Sequence, residues 1–178
     1  PRVPPSDAQP PDAVQRLVSD ARARVKDALD FDVDDTDATL PVLDHFLNQH
    51  RGGDAVDIDP IAAAAGCHFG EVVRQRFDGR WILPSDDPAH WRLELAGVGL
   101  SFSPMAFAYQ AMVLGADERH DDALTVRQRD RTALTEALAR LASVPEDIYY
   151  SLANRYDTLE TIAEILVGMK AQRRKEEE

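Results

Sequence analysis

The strongest constraint on this chain is a change of hydrophobic period at Asp78-Gly79. Before that point apolar residues recur at three- and four-residue steps, the mark of amphipathic helices. After it they alternate, the mark of strands with one buried face. A chain that carries both periods in separate blocks folds as α+β, with a sheet set among helices.

Upstream, Val14, Leu17, Val18, Ala21, Val25 and Ala28 predict a first helix from about Pro11. Leu40, Leu43, Phe46 and Leu47 predict a second, ended by Gly52 and Gly53. Thr36, Asp37 or Thr39 suits its N-cap and Pro41 its first turn. A third helix is expected to open at Asp59-Pro60 and run to about Phe77. Downstream, Trp81 and Leu83 alternate with Arg80 and Ile82. Trp91, Leu93 and Leu95 alternate with Arg92, Glu94 and Ala96, and Leu100 and Phe102 with Ser101 and Ser103. Short links, including a turn at Gly97 and Gly99, predict a small three-stranded antiparallel meander with one apolar face.

Ser103-Pro104 then opens a helix, and Thr125 with Gln128 has capping-box spacing for a long one to about Ala142. Ser143 with Glu146, and Asp157 with Glu160, repeat that spacing and predict closing helices over 145–155 and 158–172. The expected fold is therefore α+β: three N-terminal helices, the meander, then C-terminal helices. One domain should cover 11–172, after a Pro-rich arm at 1–10 and before a charged tail at 173–178.

The 178 residues are enough to bury a core without disulfides or metal staples. The chain starts with Pro rather than Met and shows no signal peptide, so a trimmed, processed or partial form is expected. Its single cysteine forms no internal disulfide, and the reducing cytoplasm is the expected location. The net charge of −12 speaks against nucleic acid and anionic membrane surfaces, both of which select basic patches. Residues 1–60 hold thirteen Asp against six Lys or Arg, so the acidity leans forward. No eighteen-residue apolar stretch predicts a membrane span.

The segment "CHFGEVVRQRFDGRWIL", 67–83, gathers the chemically suggestive residues. At about 100° per residue, Ile61, Ala65, Phe69, Val72, Val73 and Arg76 share an arc. His68 sits at its edge, flanked by Glu71 and Gln75, while Gly66 and Gly70 line the opposite flank, open to close approach by another element. Cys67 points too far round to form a nucleophilic pair with His68. His68 and Glu71, at i, i+3, form either a boundary hydrogen-bonding pair or part of a proton-transfer or metal site. Zinc needs a further ligand, for which His45 or His50 is available, and the His-Glu-x-x-His pattern is missing. With Arg80 and Trp81, His68 and Glu71 make the candidate polar cluster; Glu71 is expected to pair with Arg80 or Arg92. Trp81 should anchor the first strand on the helices, and Trp81 or Trp91 could also line the mouth of a ligand cleft.

Asp30, Asp32 and Asp34 stand at calcium-loop positions, but Asp35 replaces the required Gly and Pro41 the closing Glu, so helix capping is the better reading. His120 lies among four carboxylates in 117–122, a stretch read as a solvated connector. Neither a nucleophile elbow nor a phosphate or dinucleotide loop is present, and no cofactor or metal is expected. In 104–114, Met105, Tyr109 and Met112 form one apolar stripe, and Phe107, Ala111 and Leu114 another. One stripe can lie on the sheet; the other needs the later helices or a second copy of the chain.

The stretches "TDATLPVLDHFL", "GCHFGEVVRQRFDGRWIL" and "LSFSPMAFAYQAM" resemble, in this order, a pattern in uncharacterised bacterial domains of unknown function. Those carry a Leu-Asp helix, a Gly-Glu helix and a Gly-Arg-Trp strand. The resemblance covers residues 36–115 and implies an α+β fold of bacterial origin, with no activity or catalytic residues attached. The expected role is a non-enzymatic interaction or structural module that binds a protein partner or itself. The alternatives are a metal-dependent or hydrolase-like enzyme using His68 and Glu71, and a small-ligand binding domain.

Overall fold

The computed structural model describes residues 9–52, 55–115, 123–139 and 144–176. The first eight residues of the expected arm, the 117–122 connector with His120, and Ser143 lie outside them.

Two helices buried on every side form the centre. α3 (Ala55–Phe77) is buried at every position from Ile61 to Arg74, and α4 (Pro104–Val113) at every position up to Met112. They lie against each other at Gly66, where a Cβ would come within 2.7 Å of the Met105 and Pro104 backbone. α1 (Asp12–Leu29) packs on α3 through Val14, Val18, Ala21 and Val25. α2 (Leu40–Gln49), entered by a 3-10 turn over Asp37–Thr39, buries Leu40, Leu43, Phe46 and Leu47.

α3 begins at Ala55, so Pro60 lies inside it and does not open it as expected. Pro60 costs one backbone bond near an end, on the exposed side, which the helix tolerates. The 39–40 entry also differs from the expectation of a side-chain cap: no hydroxyl caps α2, and Thr39 Oγ1 bonds the Asp34 and Thr36 carbonyls at 3.0 Å each.

α3 ends with Asp78 at φ +52° and the Gly79 amide bonded to the Arg74 carbonyl (3.1 Å), a Schellman-type reversal. It turns the chain straight into β1 (Arg80–Ile82), followed by β2 (Arg92–Leu95) and β3 (Leu100–Phe102). The expected three-stranded meander is extended by a fourth antiparallel strand, β4 (Leu124–Val126), giving the order β1-β2-β3-β4. The Thr125/Gln128 spacing is therefore no capping box. Thr125 belongs to the strand, where its hydroxyl meets Ser101 O and Arg92, and α5 (Gln128–Leu138) starts after Arg127. β4 is half-buried at all three positions and has no wholly buried face, unlike β1 and β3, which is why this strand escapes pattern reading.

Trp81, Leu93, Leu95, Leu100 and Phe102 form the buried face of the sheet. Phe102 stacks on Phe107 of α4 (centroids 5.2 Å apart) and meets Phe69 of α3 edge-on (6.0 Å).

The closing helices divide differently from expectation. α6 (Glu146–Tyr149) is one turn, and α7 runs unbroken over Leu152–Glu176, with Asp157 in its interior. α7 has a local cap, Ser151 Oγ accepting the Asn154 amide at 3.2 Å, and a remote one: Asp44 of α2 accepts the Leu152 and Ala153 amides at 2.6 and 3.0 Å. Residues 173–176 are helical rather than a frayed tail, and Arg173 lies 2.7 Å from the buried Asp130 carboxylate.

Candidate functional site

The polar centre of α3 is Glu71, Arg74 and Trp81. Arg74 Nε donates to both Glu71 oxygens (2.9 and 3.1 Å), and Trp81 Nε1 donates to Oε1 at 2.6 Å. All three side chains are buried. Local structure dictates the arrangement. One helical turn brings Arg74 to Glu71, and the reversal at Asp78-Gly79 folds Trp81 back across Gly70, whose missing Cβ would lie 2.5 Å from the indole. A buried carboxylate that accepts from a guanidinium and an indole is neutralised and held still.

Of the four residues of the candidate cluster the structure brings Glu71 and Trp81 together, and it adds Arg74, which the sequence analysis does not name. The signal was available, since Glu71 and Arg74 stand at i, i+3 with the carboxylate first. Two expected members are elsewhere. Arg80 is exposed and pairs with Glu94 across β1–β2 (2.8 Å), its register partner. Arg92 spreads over the outer face of the sheet to Ser101 and Thr125. The expected Glu71 pairing with Arg80 or Arg92 is thus corrected to Arg74, because α3 supplies a cation closer than the sheet does.

His68, one turn before Glu71, is fully enclosed, and neither ring nitrogen has a hydrogen-bond partner. It shares no proton with Glu71. Burial pushes its ring below the ordinary imidazole value; the Asp35 charge and the neighbouring Asp34 main chain oppose this, and the Arg22 charge adds to it. Cys67 is buried too, its thiol pushed up to about 12 by burial and by the Glu71 charge, which leaves it unreactive.

His45 is exposed beside Gln49, and His50 Nδ1 donates to Phe46 O (2.9 Å) while the ring packs on that of Phe46. Neither joins His68. Among the described residues, no three His, Cys, Asp or Glu side chains converge as a metal would require. Asp30, Asp32 and Asp34 diverge: Lys26 bridges the first two, and Asp34 accepts from the Thr36 amide (2.9 Å).

Met105, Phe107, Tyr109 and Met112 are covered within the chain, and Leu114 is half-buried in a left-handed conformation that ends α4. α3, α2 and α7 all lie against α4, so these side chains offer no surface to a second copy.

Two open grooves flank Arg74. One of about 270 Å³ lies between α1 and α3, beside Arg22, Asp35 and Glu71; the other, of about 400 Å³, is walled by Trp81, Arg80, Pro10 and Pro11. A larger cleft of about 690 Å³ lies at the α2–α3 junction. Its cationic groups have local partners: Arg24 meets Asp20 at 2.8 Å and Arg51 Nε meets Ala111 O at 3.3 Å. Among the described residues no helix is long and apolar enough to cross a membrane.

Comparison with protein-family models, curated proteins and solved structures gives no match.

Proposed function

We propose that the chain is a non-catalytic protein-interaction module, of bacterial origin as the resemblance implies and placed in the reducing cytoplasm as its single cysteine suggests. One observation carries this reading: the side chains suited to chemistry are enclosed, while a run of large apolar side chains stands outside at 144–149. Glu71 is engaged by Arg74 and Trp81, and Cys67 and His68 are shut in the core. Val144, Ile148 and Tyr149, by contrast, expose 41%, 46% and 48% of their surface on and beside the one-turn α6. Neighbouring exposed apolar groups of this size are where soluble domains meet other proteins. Glu146 and Asp147, exposed in the same turn, suit a partner with basic flanks.

Light scattering on the eluting protein, with a pull-down from bacterial lysate, tests the reading. Self-association or capture of a partner, lost in Ile148→Asp, is the expected result. A strictly monomeric protein that retains nothing overturns it.

A small-ligand domain is the second reading, favoured by the groove of about 400 Å³ with Trp81 in its wall. Tryptophan fluorescence against a metabolite panel tests it, and an unchanged spectrum throughout would remove it.

A further inference from the structure

His68 stands apart from the other buried polar groups of α3: neither ring nitrogen makes a well-formed hydrogen bond, and the Asp34 main chain is the polar group set against it. Native proteins leave such groups unpaired only rarely, and the exceptions call for an explanation. Charged groups reach it from two other segments. Arg22 comes from α1; its Nε is buried and unpartnered, and its Nη2 is held on Asp35 Oδ1. Asp34 and Asp35 come from the 30–36 segment that links α1 to the α2 entry. On its own helix, Glu71 is already taken by Arg74 and Trp81.

That segment is lightly held. It begins at Asp30 in a left-handed conformation (φ +51°), and its bonds are largely local, from Asp34 to Thr36 and Thr39. Val33 is its buried anchor, while Phe31 is 43% exposed. Beyond this, the Arg22–Asp35 pair and the contacts of Lys26 with Asp30 and Asp32 hold it to α1.

We propose that His68 is an acid-responsive latch: neutral and enclosed, it lets the 30–36 segment lie closed over α1 and α3, and on protonation it drives that segment open. The step is the uptake of one proton by the ring. An imidazolium in this position meets the Asp34 main chain but no free carboxylate, since Asp35 is held on Arg22 and Asp34 on Thr36, and a buried charge without a counter-ion is strongly disfavoured. Two movements relieve it. Either the segment lifts and water reaches the ring, or Asp35 turns to the ring and leaves Arg22. Both break the Arg22–Asp35 tie. This device is independent of the interaction reading above.

The direction with pH follows from the geometry. In the open form the ring has an ordinary value near 6.5, while in the closed form burial holds it lower. The closed form is therefore fully favoured above that ordinary value and loses ground as pH falls below it. Opening therefore rises between pH 7.5 and 5.5, by up to about tenfold, the limit for a closed form that takes up no proton.

Hydrogen exchange on the whole chain, corrected for intrinsic rates, reads this directly. Amides 31–39 should lose protection by up to about tenfold over that interval in the wild type and show no such loss in His68→Leu. An equal loss in His68→Leu, or none in the wild type, overturns the proposal. Should His68→Leu not fold, the wild-type ring decides by proton NMR. Its signal should stay that of the neutral imidazole until the 31–39 amides open. Protonation of the ring with those amides still protected would overturn the latch.

Discussion

The α3–α4 contact and the seat of α7 are held in different ways. Between α3 and α4 the fit is one of shape: Gly66 admits the Met105 backbone, Gly70 admits the Trp81 ring, and three phenylalanines close the gap. α7 also buries an apolar stripe, Leu152, Tyr156, Leu159, Ile162 and Leu166. Yet its ends are fixed by charge, with Asp44 on the first amides and Asp130 beside Arg173. Arg155 adds a cation set over the Phe107, Tyr149 and Tyr150 rings, with a bond to Gln110 (3.1 Å). A shape-fitted contact fails by overpacking, and a charge-tied one by leaving a buried group unpaired.

The largest effect should come from breaking the polar centre that both the helix and the sheet share. Glu71→Ala leaves the buried Arg74 guanidinium without its carboxylate and should cost about 3–5 kcal/mol in urea unfolding. A loss below about 1 kcal/mol, the range of exposed pairs, would show that the pair contributes as a surface bridge does. Gly66→Ala comes next. Its new methyl group meets backbone, which cannot step aside as a flexible side chain could. The cost of overpacking, about 1–3 kcal/mol, should outweigh the roughly 1 kcal/mol that Ala gains over Gly in a helix. A thermal midpoint above the wild type would mean that α3 and α4 can separate freely.

On the α7 side, Asp44→Ala should cost about 1–2 kcal/mol, with exchange protection lost first at Leu152 and Ala153. Burial raises the Asp44 carboxyl above its ordinary range, opposed by the Ala153 and Leu152 amides, so part of the cap's gain goes to desolvation. Equal loss of protection along the whole of α7 would show that the cap is not its local fastening. The smallest change belongs to Arg76→Ala. It removes a partly exposed bridge to Glu160 and should cost under about 1 kcal/mol, less still in high salt.

The same contrast explains what the sequence discloses. Shape-fitted parts leave marks in composition: Gly66 and Gly70 on one flank, the apolar run 104–112, and the alternation that sets Trp81, Leu93 and Phe102 on one face. Tertiary ties leave no local mark. Asp44 holds the first amides of a helix 108 residues away, a tie with no sequence mark, whereas the local Ser151 cap of the same helix lies six residues before the Asp157 spacing. In the candidate site, the Glu71–Arg74 pair is local and readable at i, i+3, while the solitude of His68 depends on which segment covers it. The fourth strand is hidden for a related reason: three residues acquire strand identity only by pairing with β3.

The central claim is that Glu71 is committed to architecture through Arg74. A double-mutant cycle of Glu71→Leu and Arg74→Met, followed by urea unfolding, tests it most directly. Each single change should be strongly destabilising, and the double change should recover most of the loss, because removing both charges leaves neither one unpaired. Losses that simply add, within about 0.5 kcal/mol, would contradict the account.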